Sequence, residues 1–171
     1  MYECDVWIRR DGGITVTVSI IPVTMANLDM VLPLIADYQT FYHATPDTER
    51  NRAHFGALAT TPAIGAQWMA TTHTGQAIGF VTAYRTLSSV SAAKRCLLND
   101  LYVAPDQRGT GVGRQLILHC TNWALSEGYP GVYWQTDHDN YTAQKLYDSL
   151  PTSREAVYIY TLQGLDLTKQ G

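Results

Sequence analysis

Charge is scarce in this chain. Only 16% of its 171 residues are charged, and 12 basic side chains face 15 acidic ones. A net charge of −3 and a pI near 5.9 leave no basic footprint for DNA, RNA or an anionic membrane. No long acidic run offers a docking site for a polybasic partner. Cysteine is also sparse: Cys4, Cys96 and Cys120 are odd in number, scattered and without a C-x-x-C pair. They read as reduced thiols, not as a disulfide framework. The five histidines are dispersed and none pairs at metal-ligand spacing, so no metal is expected. No apolar run reaches the length of a membrane span and no basic-then-apolar leader opens the chain, which makes a cytoplasmic protein the expectation. Repeats and low-complexity stretches are missing too.

What is present is the patterning of a soluble globular domain, with a hydrophobic fraction of 46% and enough length for a sizeable core. Residues 1–13 end in Asp11-Gly12-Gly13 and read as an extension before a single domain over 14–171. Alternation from Thr15 to Ile20 predicts a strand. A helix capped near Thr24 or Asn27 follows, carrying Leu28, Val31, Leu32 and Ile35 at helical spacing. It continues through Tyr38, Phe41 and Tyr42, with Pro33 close enough to its start to be tolerated. Asp47-Thr48-Glu49-Arg50 begins a second helix through Phe55 and Leu58. Strands are then expected at Ala66–Thr71, Ala77–Tyr84 and Arg95–Val103. After Gly111 comes a helix with Val112, Leu116, Cys120 and Trp123 on one face, ending at Gly128. Gly131–Thr136 predicts a strand, Asn140–Leu150 a helix, and Ala156–Leu162 a last strand. The order β-α-α-β-β-β-α-β-α-β is mixed α/β, with one β-α-β crossover.

The most informative run is Leu98 to Gly113. A strand pattern stops at Pro105, turns through a glycine-bearing loop and restarts as a helix. Gly109, Gly111 and Gly113 leave the backbone bare, so consecutive N–H groups can approach an anion at a helix N-terminus. Arg108 adds a fixed positive charge, and the arrangement suits a pyrophosphate. A glycine-rich turn with no ligand is the plainer alternative. Two familiar phosphate loops are excluded. The G-x-G-x-x-G fingerprint fails because Arg114 stands three after Gly111, and no Gly-Lys-Ser/Thr ends a Walker loop.

Arg108-x-x-Gly111-x-Gly113 resembles the R/Q-x-x-G-x-G/A signature of the GNAT superfamily of acyl-CoA N-acyltransferases. From about Val18 to Leu162 the element order is similar to that fold, a mixed central sheet flanked by helices. The C-terminal half resembles the yeast-type histone and D-amino-acid N-acetyltransferase branch, in Leu98–Val103, Gly111–Ile117, Val132–His138 and Asn140–Tyr147. Ala77–Phe80 fits the same branch. Polyamine acetyltransferases are similar around Asp100–Val103 but carry glutamate where this chain has Asn99. The chain departs from the pattern where Leu146-Tyr147-Asp148-Ser149-Leu150 runs into Pro151, in place of a following Gly-aromatic pair.

The resemblance implies acetyl-CoA as cosubstrate and a primary amine as acceptor. It places Arg108, Gly109, Thr110, Gly111, Val112 and Gly113 at the pyrophosphate. The edge of the strand at Leu101, Tyr102 and Val103 would pair with the pantetheine amides as an added strand does, with one N–H polarising the thioester carbonyl. Tyr147 is the implied general acid, since a phenol with a pKa of about 10 stays protonated at neutral pH. Its place on an apolar stripe with Ala143 and Leu146 fits core packing as well. Asn140, two turns earlier, either contacts the cofactor or only caps its helix. Asp100 either takes the amine proton through water or pairs with the cationic acceptor, and His138 is a second candidate base. Tyr38, Phe41 and Tyr42, with Asp47 and Glu49 after them, would suit an amine by cation–π contact and charge. Plain core packing explains the aromatics equally. A small-molecule amine acceptor and a homodimer are expected. Protein lysine acetylation and a non-catalytic acyl-CoA-binding module are the alternatives.

Overall fold

The computed structural model describes residues 18–162. The expected extension at residues 1–13, Cys4 and the start of the first strand lie outside them. Two compact units divide the chain, the first ending at Asp137 and the second beginning at His138.

The first unit holds β1 (Val18–Pro22), α1 (Leu28–Phe41), α2 (Thr48–Thr60), β2 (Gly65–Thr72), β3 (Ala77–Ser88), β4 (Ala93–Val103), α3 (Val112–Ser126) and β5 (Val132–Tyr133). The sheet follows chain order from β1 to β5. The first three pairings are antiparallel and β4–β5 is parallel, as a β-α-β crossover through α3 requires. In α1, Asn27 stands at the N-cap, but its Oδ1 accepts from the Thr24 N–H at 2.7 Å and makes no cap bond to the helix. Pro33 sits inside this helix without ending it. In α2 the Asp47 carboxylate caps conventionally, accepting from the Arg50 N–H at 2.8 Å.

Successive strand residues point to opposite faces, and the two faces are covered by different helices. Met69, Phe80 and Tyr102 join Leu28, Val31, Ile35, Phe55 and Leu58 in the core beneath α1 and α2. Trp68, one residue from Met69, meets Trp123 of α3 on the other side, ring centroids 5.0 Å apart. There the Arg85 guanidinium ties the unit together. It donates to the Glu127 carboxylate at 2.8 Å and the Tyr129 hydroxyl at 3.2 Å while lying over the Trp123 ring. Cys96 and Cys120 are buried free thiols.

Gly65 is required by close approach rather than by dihedral freedom. It stands opposite Tyr84 in the β2–β3 register, and a Cβ there would overlap the Ala83 carbonyl oxygen. Gly65→Ala is expected to lower stability by about 1–3 kcal/mol, the usual cost of overpacking. Thermal unfolding checks this, and an unchanged midpoint would show that the two strands separate freely at that point.

In the second unit, α4 (Tyr141–Asp148) is the one helix among the described residues. Ala143, Leu146 and Tyr147 are half-buried and Leu150 is buried, in line with the predicted stripe. Two strand expectations are corrected. The run 131–136 contracts to Val132–Tyr133, because only those residues pair with β4. Ala156–Leu162 forms no strand and is exposed, Tyr158 and Tyr160 each at 92%. Alternation makes a strand only when a neighbour supplies the ladder, and among the described residues this segment has none.

Candidate active site

The parallel ladder between β4 and β5 consists of Cys96↔Val132 and Leu97↔Tyr133 and then stops, while β4 continues to Val103. Just past that point the β3–β4 register shifts, with Thr82 opposite Asp100 and Ala83 opposite Leu98. Asn99 is thus the extra residue of a bulge, and a bulge bends its strand and raises the local twist. Among the described residues, the Leu101-Tyr102-Val103 stretch therefore keeps β3 on one side and has no strand on the other.

Beyond β4, a short 3-10 turn at Pro105–Gln107 leads into the glycine loop. Gly109 and Gly111 adopt left-handed φ values of 74° and 92°, and Gly111 is the N-cap of α3. No side chain caps this helix and no acidic residue stands in its first turn, so its positive end is not neutralised from within. The Thr110 hydroxyl donates to the Gln107 carbonyl at 2.6 Å, bracing the loop. A backbone cradle of this kind fits a pyrophosphate. Arg108 departs from the expected pose. Its Nε donates to the Val103 carbonyl at 3.0 Å, and its guanidinium lies 5.7 Å from the centre of the Tyr102 ring.

On the α1–α2 side of the sheet, Asp100 is 8% exposed. Burial holds its carboxyl above the usual carboxylate range, against the opposing pull of hydrogen bonds from Thr82, Tyr38 and Asn99 and of nearby His54. Tyr38 packs edge-on against Phe80 and Tyr102 and also meets Tyr42, at 5.0 Å between centroids. Phe41 and Tyr42 are 51% and 44% exposed, so they form an open wall while Tyr38 belongs to the packed floor. The Tyr42 phenol is raised by burial and then by the negative charges of Asp137 and Asp100. Tyr84 is pushed up to about 12, by burial first and by Asp100 second, and its hydroxyl meets His54 Nε2 at 2.9 Å. Two carboxylates amid aromatic rings suit a cation. Asp47, by contrast, is spent as a helix cap, and Glu49 is exposed.

In the second unit, the Asn140 side chain accepts from the Ala143 N–H at 3.2 Å, so it caps α4. Tyr147 lies two turns further along the same helix and is half-buried. His138 precedes the helix in an exposed turn and accepts, through its carbonyl, a hydrogen bond from Gln144.

Residues 29–150 match the model of the Acetyltransferase (GNAT) family. The chain belongs to that family. It is 42% identical over 86 residues to the D-amino-acid N-acetyltransferase HPA3 of Saccharomyces cerevisiae, spanning 50% of this chain and about half, 53%, of that protein. It is 31% identical over 118 residues to YhfO, an uncharacterized N-acetyltransferase of Bacillus subtilis, across 69% of this chain and 78% of that one. Among solved structures, aminoglycoside N-acetyltransferase AAC(6')-Iy in complex with CoA superposes with a TM-score of 0.76 at 20% identity. That superposition covers 86% of this chain and 95% of the other. An aminoglycoside acetyltransferase from an uncultured soil metagenomic sample gives 0.71 at 20% identity, over 86% and 96%.

Three residues around Asp100 and Tyr42 escape sequence reading: Tyr84, His54 and Asp137. Tyr84 and His54 are 30 positions apart and meet only because α2 packs on α1 and on β2, the strand beside β3. One sequence signal was available for Tyr84, which stands two residues after Thr82 and so on the strand face that meets Asp100. Nothing in the local pattern singles out His54 on an otherwise polar helix face. Among the described residues no helix is long and apolar enough to cross a membrane.

Proposed function

We propose that the protein transfers the acetyl group of acetyl-CoA to the primary amine of a small molecule by direct attack on the thioester. The observation that carries this reading is a buried carboxylate, Asp100, set under an aromatic wall where β4 loses its second neighbour and runs on to the glycine loop. Acetyl-CoA supplies an activated acetyl thioester. The N–H groups from Gly109 to Gly113, at the uncapped end of α3, hold its pyrophosphate, with Thr110 and Val112 completing the loop. Arg108 adds positive charge from its anchor on Val103. The unpaired edge at Leu101–Val103 receives the pantetheine amides, and one N–H there stabilises negative charge on the carbonyl oxygen.

Asp100 anchors the acceptor as its ammonium, beside Tyr38, Phe41 and Tyr42, and the amine gives up one proton before it attacks. Tyr147 holds the phenolic proton for the departing sulfur, and Asn140 positions its helix. The yeast relative's D-amino-acid specificity and the aminoglycosides of the structural neighbours both present amines, and they support a small acceptor here. A homodimer belongs to the same reading, and light scattering tests it.

The experiment is a thiol-release assay with acetyl-CoA against amino acids, polyamines, aminoglycosides and lysine peptides. Turnover on small amines is expected. Turnover on peptides alone would transfer the reading to protein lysines, and cofactor binding without turnover would leave only a binding module. Asp100→Asn should raise the amine KM by about thirtyfold, equivalent to ~2 kcal/mol for an unpaired buried charge partner. The same change should not lower the melting temperature at pH 7. A carboxyl whose folded pKa is raised binds its proton longer than in the unfolded chain, so stability falls as pH rises through that window. At neutral pH the ionised Asp100 therefore costs the fold free energy, and the amide removes that cost. A lower midpoint would make Asp100 a structural anchor.

A further inference from the structure

The acceptor amine arrives as an ammonium and must shed a proton before it can attack, yet Asp100 is a poor terminus for that proton. It is buried, already accepts three side-chain hydrogen bonds, and has no exposed face through which to reset. Next to it the fold provides an outlet. Tyr84 lies on β3 within the field of Asp100, and its hydroxyl sits 2.9 Å from Nε2 of His54. His54 is exposed on α2, with its ring packed edge-on against Phe55 at 4.9 Å. A buried anion, a half-buried phenol and an exposed imidazole thus form a graded path from the pocket to solvent.

We propose that His54, reached through the Tyr84 hydroxyl, is the base that receives the acceptor ammonium's proton. This rests on the reading of Asp100 as the ammonium anchor. In the step, an ammonium N–H bond breaks as its proton passes to Tyr84 Oη. The proton already on Oη passes to Nε2 of neutral His54, and the resulting imidazolium releases one proton to bulk water. Tyr84 exchanges one proton for another and never becomes a phenolate, which agrees with a phenol held far from ionisation. The groups that face His54 are compatible with this task. They are Tyr84 of β3, which meets Nε2 directly, Asp100 of β4, on which His54 acts through space, and Phe55 of α2; Asp137, beyond β5, acts on Tyr42. On α2 itself Arg50 stands one turn earlier, with its guanidinium drawn away to the Thr45 carbonyl at 3.1 Å. Nothing in sequence spacing relates His54 to the glycine loop; only the packing of α2 on the sheet does.

The test uses His54→Ala, His54→Gln and Tyr84→Phe in the full chain, assayed with the best amine of the panel. His54→Gln can still accept from the Tyr84 hydroxyl but cannot carry a proton. Both His54 variants should lose at least about tenfold in kcat, the low side of what a positioned base contributes, with the amine KM nearly unchanged. The acid limb of kcat/KM should flatten in both. Free imidazole should restore turnover to His54→Ala and should not restore it to Tyr84→Phe. Wild-type turnover and an unaltered acid limb in His54→Gln would overturn the proposal, leaving His54 as a hydrogen-bonding brace. Failure of imidazole to rescue His54→Ala would overturn it as well. An unchanged amine KM in Asp100→Asn is a separate failure, of the anchor reading, and is distinguishable because rescue reports on the proton and KM on the cation.

Discussion

Tyr147→Phe should lower turnover by about 10²–10⁴-fold, the usual worth of a positioned general acid. The fold should survive, because the ring still fills its half-buried place on α4 and only the hydroxyl is removed. Asn140 continues to cap that helix, and the backbone bonds from Leu150 N–H and Thr152 Oγ1 to the Tyr147 carbonyl do not involve the phenol. Cofactor affinity should also persist, since the proton is needed only as negative charge develops on the departing sulfur. If proton donation limits the rate, the alkaline limb of the pH profile shifts or vanishes in the variant. Steady-state kinetics between pH 6 and 9 decide the matter. Wild-type turnover throughout would make Tyr147 a packing residue and send the proton's origin to water.

The second large effect is on binding rather than turnover. Gly111→Val should weaken acetyl-CoA by roughly 10²-fold, as expected when two charge-assisted hydrogen bonds worth about 1.5 kcal/mol each are displaced. At the N-cap of α3, with φ of 92°, a side chain both strains the backbone and pushes a Cβ toward the anion. Strain alone would lower stability without identifying a site. Gly111→Asn separates the two effects, because asparagine tolerates the left-handed region at small cost while still carrying a Cβ. Calorimetric titration of the asparagine variant should show the affinity loss in a folded protein. A folded variant with the wild-type dissociation constant would remove the loop from the binding site.

What was legible in the sequence is what local chemistry writes there. The helix periods of α1 and α3, the start of α2 at Asp47-Thr48, and the passage from β4 through Pro105 into the three glycines all follow from short-range constraints on backbone dihedrals and apolar spacing. They reappear in place in the structure. Asp100 was visible because it stands beside the glycine loop, in a run that resembles the family. The element that failed, Ala156–Leu162, has the right alternation and, among the described residues, lacks the partner that alternation presupposes.

Sequence by itself determined the family, the order of elements as far as α4 and the loop, because each of these is carried by contiguous residues. Tertiary structure alone decided how the pocket is furnished. The β4–β5 ladder ends at Leu97 because β5 supplies two pairing residues, and that early stop leaves the next stretch of β4, among the described residues, with β3 as its one neighbouring strand. Arg108 turns back onto Val103 because a carbonyl at the strand end offers it an acceptor. The hydroxyl of Tyr84 finds His54 because α2 packs on β2, the strand beside β3, with the reciprocal Gln39–Asn51 hydrogen bonds, at 2.7 and 2.9 Å, linking α2 to α1. These are distances between residues far apart in the chain, set by packing and sheet register, and no local pattern encodes them.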